Sequence, residues 1–187
     1  MRRFLVVLII VCTLAAGGLL GWWRVGTYRA NELVGEANLE IEAFNASSAE
    51  AQARFATLSS DVNKQQFPRN RTRWEPVARE AAALYEKSAA HARAASGKFD
   101  EASRRPTKEV VVAYNRALSA QFAKKAERFE LLKEYVLLWV DPTLQSTEDL
   151  TTKQTEITHR LAPIQAAEQT SVAEADRIAK ANPHQFD

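Results

Sequence analysis

The chain has 187 residues, room for one moderate domain and an appendage, and carries 25 Lys+Arg against 23 Asp+Glu. Once Arg2 and Arg3 are set aside the charges balance at 23 each, without the basic excess that marks a nucleic-acid binder of this size. Its single cysteine, Cys12, sits in an apolar run, which excludes an intrachain disulfide and any Cys-based metal site or catalytic thiol downstream.

Residues 1–3 form a short cationic N-terminus, and the 20 residues from Phe4 to Trp23 follow without a charge. As a helix rising ~1.5 Å per residue, that run covers ~30 Å, the hydrocarbon thickness of a bilayer. Phe4 opens the predicted anchor, and Trp22 and Trp23 close it where an aromatic belt meets the headgroups. The small residues Ala15 to Gly18 offer a peptidase site, and a secreted bundle after cleavage is the alternative. The apolar run continues past them, however, and is longer than a signal h-region. A short cationic segment ahead of such a run stays cytoplasmic, which leaves the bulk of the chain extracytoplasmic, in a periplasm or cell envelope. Thr13, Gly17 and Gly21 recur every four residues, a spacing that lets two membrane helices touch closely. Glycine is common in such helices in any case, so a homo-oligomer through this face is a candidate only.

Residues 24–182 read as helix interrupted at prolines, with helices over about 28–66, 71–104, 106–140 and 146–181 and a tail at 183–187. Only Gly35 and Gly97 follow Gly26, too few for hairpins or phosphate-cradling loops. In the first helix Val34, Ala37, Ile41, Phe44, Ser48, Ala51, Phe55, Leu58 and Val62 alternate steps of three and four, a heptad seam. Trp74, Ala78, Ala81, Tyr85, Ser88, Ala92, Ala95, Phe99 and Ala102 do the same in the second, with small residues that invite close approach. The third seam runs from Val111 to Trp139 and is interrupted by Lys125; the fourth joins Leu150, Ile157, Leu161, Ile164, Ala175 and Ile178, with Gln154, Glu168 and Ser171 in the same row. Thr72 with Glu75 and Ser146 with Asp149 match capping boxes, and Pro163 predicts a kink in the last helix. Four helices of this length joined by short turns predict an all-α fold, a transmembrane helix followed by an antiparallel up-down-up-down four-helix bundle.

Candidate chemistry is sparse. Glu156 and His159 have the spacing used by di-iron bundles, but a second pair and two further inward carboxylates are missing, and both residues lie off the seam. His91 flanks the alanine seam without a ligand set in the sequence around it, and His184 is in the tail. No nucleophile-elbow, Walker or Rossmann pattern occurs, so neither catalysis nor a cofactor is expected. The expected role is a membrane-anchored scaffold or protein-interaction module, with a sensor-type ligand-binding bundle as the second reading. Its partners are then the membrane and another protein, not nucleic acid. The candidate docking surface is the end far from the membrane. There Arg69, Arg71 and Arg73 form a basic rim, and Leu131, Tyr135 and Leu138 make a second apolar stripe beside the core stripe of the third helix. The same stripe would also suit a helix buried on two sides by its neighbours.

Overall fold

The computed structural model describes residues 2–61 and 67–185, with side chains from Trp23 onward apart from Ser60 and Asp61. Four helices make up nearly all of it: α1 (Arg2–Asp61), α2 (Arg71–Ser103), α3 (Glu109–Leu137) and α4 (Thr147–Ala181), with 3-10 turns at Leu138–Val140 and Pro183–Gln185. Among the described residues there is no strand, and the all-α helical bundle expected from periodicity is the observed class. The predicted anchor and first bundle helix are one element, since α1 runs for 60 residues, about 90 Å, without a break. Among the described residues no helix is long and apolar enough to cross a membrane. The anchor residues Phe4 and Trp22 and the candidate dimer face Thr13, Gly17 and Gly21 lie outside the residues whose side chains are described.

The α2 seam buries as its spacing requires; on α1 Val34, Ile41 and Phe55 are half-buried, and Val62 lies outside the described residues. All nine predicted positions of α2, from Trp74 to Ala102, are buried, and on α1 Ala37, Phe44, Ser48, Ala51 and Leu58 face them. Alanine dominates this interface, and Ser47 and Ser88 meet across it with hydroxyl oxygens 2.9 Å apart. Larger side chains fill the wider gap from α1 to α3: Phe44 meets Phe122 and Phe129 edge-on at 6.3 and 4.9 Å. Neighbouring helices run antiparallel, as cross-pairs show: Glu40 with His91 and Arg54 with Glu80 on α1 and α2, Arg128 with Glu168 and Glu134 with Arg160 on α3 and α4.

The fourth side departs from the expected ring. A closed up-down-up-down bundle returns its last helix beside the first, but α4 packs along α3 and makes no extended contact with α1 among the described residues. Only its first turn, through Leu150, joins the core shared by α1, α2 and α3. The cause is the second apolar stripe of α3. Leu131, Leu132, Tyr135 and Leu138 take up Ile157, Leu161 and Ile164 on the flank, while α1 turns exposed Asn38, Asn45 and Gln52 away from its seam.

Boundaries shift for similarly local reasons. The α2 start has Asn70 as its N-cap without a side-chain cap, and the Asn70 carbonyl accepts from the Arg73 and Trp74 amides. Thr72 therefore sits inside the helix, where its hydroxyl cannot cap, and Glu75 pairs with Arg79. Pro76 falls in the second turn of α2. At α4 the expected capping box is present, with Asp149 N–H on Ser146 Oγ at 3.0 Å and Ser146 N–H on the Asp149 carboxylate at 3.0 Å. Helix α3 starts at Glu109, three residues later than expected, because Pro106 and Thr107 belong to the bend and Lys108 is an extended N-cap. Helix α4 continues on both sides of Pro163.

Candidate functional site

At the distal end, Phe67 is buried below the turn that leads into α2, and the Arg71 guanidinium lies 5.4 Å over its ring. Arg71 also donates to the Leu144 carbonyl, across to the α3–α4 connection. Leu144 is buried in the same core as Trp74 and Trp139, whose rings meet edge-on at 5.9 Å. Beside them Asp141 accepts from the Thr143 hydroxyl at 2.7 Å and the Thr143 amide at 2.8 Å. Those bonds, helped by the Arg71 charge, hold its carboxyl below the usual carboxylate range. Arg71 is thus a half-buried strut between the two distal turns, whereas Arg69 and Arg73 are exposed.

The apolar half of the candidate tip is placed elsewhere. Leu131 is only 5% exposed, clustered with Ile157 and Leu161, and Leu138 is half-buried beside them. Tyr135 packs edge-on against Phe55 of α1 at 6.0 Å, and burial raises its hydroxyl pKa. These three side chains hold α4 and α1 to α3, and the structure does not bring them together with the arginines as an exposed patch.

Halfway along the bundle, the interruption in the third seam proves to be a filled position. Lys125 Nζ lies 4.7 Å from the Phe122 ring centroid and 5.4 Å from that of Phe44. Burial lowers its pKa, with nearby Glu168 opposing the shift and Arg128 adding to it. Glu168 itself is buried on α4 and pairs with Arg128 at 3.0 Å. His91 meets Glu40 of α1, with Nδ1 2.7 Å from the carboxylate, a partner that its own helix does not reveal. Among the described residues no three His, Cys, Asp or Glu side chains converge as a metal site. Glu156 and His159 stand on the exposed face of α4. A shallow groove of about 690 Å³ over α3, between α2 and α4, is lined by charges already paired, Arg93 with Glu130 and Arg160 with Glu134.

The proximal end carries an arrangement that periodicity did not signal. Gly26 is buried, and a Cβ there would lie 2.6 Å from the Pro106 carbonyl oxygen and 2.7 Å from its Cδ, with Cγ nearer still. The α2–α3 turn is therefore pressed onto α1 at a residue without a side chain. Trp23, Val25 and Tyr28 around this contact are exposed, and Lys108 bonds to Gln185, which draws the last 3-10 turn to the same end. The chain matches no protein-family model, no curated protein and no solved structure.

Proposed function

We propose that the chain is a single-pass, membrane-anchored helical bundle that acts without catalysis, as an extracytoplasmic scaffold or protein-interaction module. One observation carries this reading: α1 is a single 60-residue helix with the apolar run at one end and the bundle seam at the other. A flexible tether would let the bundle drift, whereas a continuous helix fixes its distance and direction from the bilayer. By helix length the distal turns lie about 50 Å beyond Arg24. The exposed Arg69 and Arg73 at that end offer charge to an acidic partner, with Arg71 holding the turn that presents them.

Two experiments test the two halves of the reading. A reporter enzyme fused after Asp187 should be active outside the cytoplasm, and activity confined to the cytoplasm overturns the topology. Crosslinking in native membranes should recover a defined protein partner that Arg69→Ala with Arg73→Ala weakens. Recovery of the bundle alone, across a range of crosslinker lengths, sinks the scaffold role. A melting shift with a small metabolite would favour the ligand-sensing reading instead.

A further inference from the structure

We infer that the proximal end of the bundle is a foot that rests on the bilayer surface and engages anionic lipid headgroups through the α2–α3 turn. The inference rests on the membrane-anchored reading and goes beyond it by giving the bundle base a partner of its own. Three observations at this end converge.

The first is the ring of exposed apolar side chains at the end of the charge-free run and just after it. Trp23, Val25 and Tyr28 are 40%, 63% and 70% exposed. At 3.6 residues per turn they spread around α1 rather than lining one stripe, so no single neighbouring helix could cover them. In water such a ring is unfavourable. At a membrane–water boundary it is favoured, because Trp and Tyr place an apolar ring in the acyl margin and a polar edge in the headgroups. The rise from Trp23 to Tyr28 is about 7.5 Å, close to the thickness of one headgroup layer.

The second is the seating of the turn. Pro106 lies against Gly26, in the middle of that band, so the turn that contains it lies at headgroup height and not above it. No spacer separates the bundle from the lipid.

The third is charge. Arg24 is exposed on α1, and the turn adds Arg104, Arg105 and Lys108. Arg104 and Arg105 reach back one helical turn to Asp100 and Glu101; Arg104 is exposed, and the other three side chains are each a little under half open to solvent. Exposed pairs of this kind hold weakly, and each guanidinium has donors to spare for a phosphate. Cations held within a Debye length of an anionic surface gain from it without a dedicated pocket.

The test uses the full chain with Cys12→Ser, reconstituted in nanodiscs of phosphatidylcholine alone or with one third phosphatidylglycerol. A fluorophore is placed at Arg24→Cys, Thr107→Cys or Thr143→Cys, and quenching by a headgroup nitroxide lipid is measured. The expected result is strong quenching at 24 and 107 and several-fold weaker quenching at 143. Phosphatidylglycerol should increase the signal at 107, and Arg104→Gln with Arg105→Gln and Lys108→Gln should remove that increase. Quenching at 24 but not at 107 overturns the foot and leaves the anchor standing. Quenching at 107 that ignores lipid charge and the glutamine variants overturns the anionic preference. No quenching at either position, with protein recovered free of discs, overturns the anchor and the foot together. A far-UV spectrum unchanged by the glutamine substitutions separates lost lipid contact from lost fold.

Discussion

Replacing Gly26 by alanine puts a methyl group where Pro106 already is, 2.6 Å from a backbone oxygen that cannot swing aside like the end of a flexible side chain. Two effects oppose each other. Removing glycine from a helix interior stabilises by about 1 kcal/mol, while forcing a methyl into an occupied contact costs about 1–3 kcal/mol. Gly35 provides the internal control, since nothing lies within 4 Å of the Cβ it would gain. Both sites are interior to α1, so the propensity gain cancels in the comparison and the contact with Pro106 is isolated. At about 2–4 °C per kcal/mol for a domain of this size, Gly35→Ala should melt about 2–4 °C above the parent. Gly26→Ala should melt about 2–12 °C below Gly35→Ala by the same conversion. Far-UV circular dichroism of the detergent-solubilised chain reads both. Equal melting temperatures for the two variants would refute the seating of the α2–α3 turn on α1.

Other consequences follow from the same geometry. Arg71→Ala removes a charged donor from the Leu144 carbonyl and should cost about 1.5–3 kcal/mol in chemical denaturation, while letting the Asp141 carboxyl titrate nearer its ordinary value. Ser146→Ala should cost about 1 kcal/mol through the lost cap, read by the same method. Asp141 and Asp149 have depressed carboxyl pKa values, so their stabilisation is fully present above about pH 4, the unfolded value, and declines as pH falls through their folded values. Asp149→Asn should flatten that acid limb in a pH series of unfolding curves, and a parent curve level through the same range would contradict it. Lys125 has the same sign in a different pH range: its lowered folded pKa means the unfolded chain binds the extra proton, so stability rises with pH towards about 10.5. Lys125→Met should be neutral or stabilising near neutral pH and should remove that alkaline rise.

Helical spacing made the buried face of α2 legible residue by residue, because all nine positions from Trp74 to Ala102 sit on one stripe and each meets a neighbour. The α4 start was equally legible, since Ser146 and Asp149 satisfy each other's amides without help from the rest of the fold. The number of neighbours around each helix was less accessible. A heptad stripe specifies an interface but not which helix supplies its partner, and the second stripe on α3 drew α4 to its flank instead of towards α1. Leu131, Tyr135 and Leu138 could be read as an exposed patch or a second interface, and only the packing against Ile157, Leu161 and Phe55 decides between them. Contacts between residues distant in sequence stayed hidden for the same reason. Glu40 with His91, Arg71 with Leu144 and Gly26 with Pro106 each depend on the register between elements. An antiparallel hairpin centred on the Phe67–Asn70 turn would have set Glu40 and His91 about 9 Å apart in height, so the sequence alone did not single out that pair. The glycine had no signal beyond its position at the end of the apolar run.

The most direct measurement of membrane anchoring and outward orientation is labelling of a single cysteine at the distal end. The chain with Cys12→Ser and Thr143→Cys, expressed in cells and prepared as right-side-out membrane vesicles, is treated with a membrane-impermeant maleimide. Retention in the membrane pellet after carbonate washing, with labelling of intact vesicles, is the predicted result. Protein in the soluble fraction, or labelling only after the vesicles are opened, would contradict it.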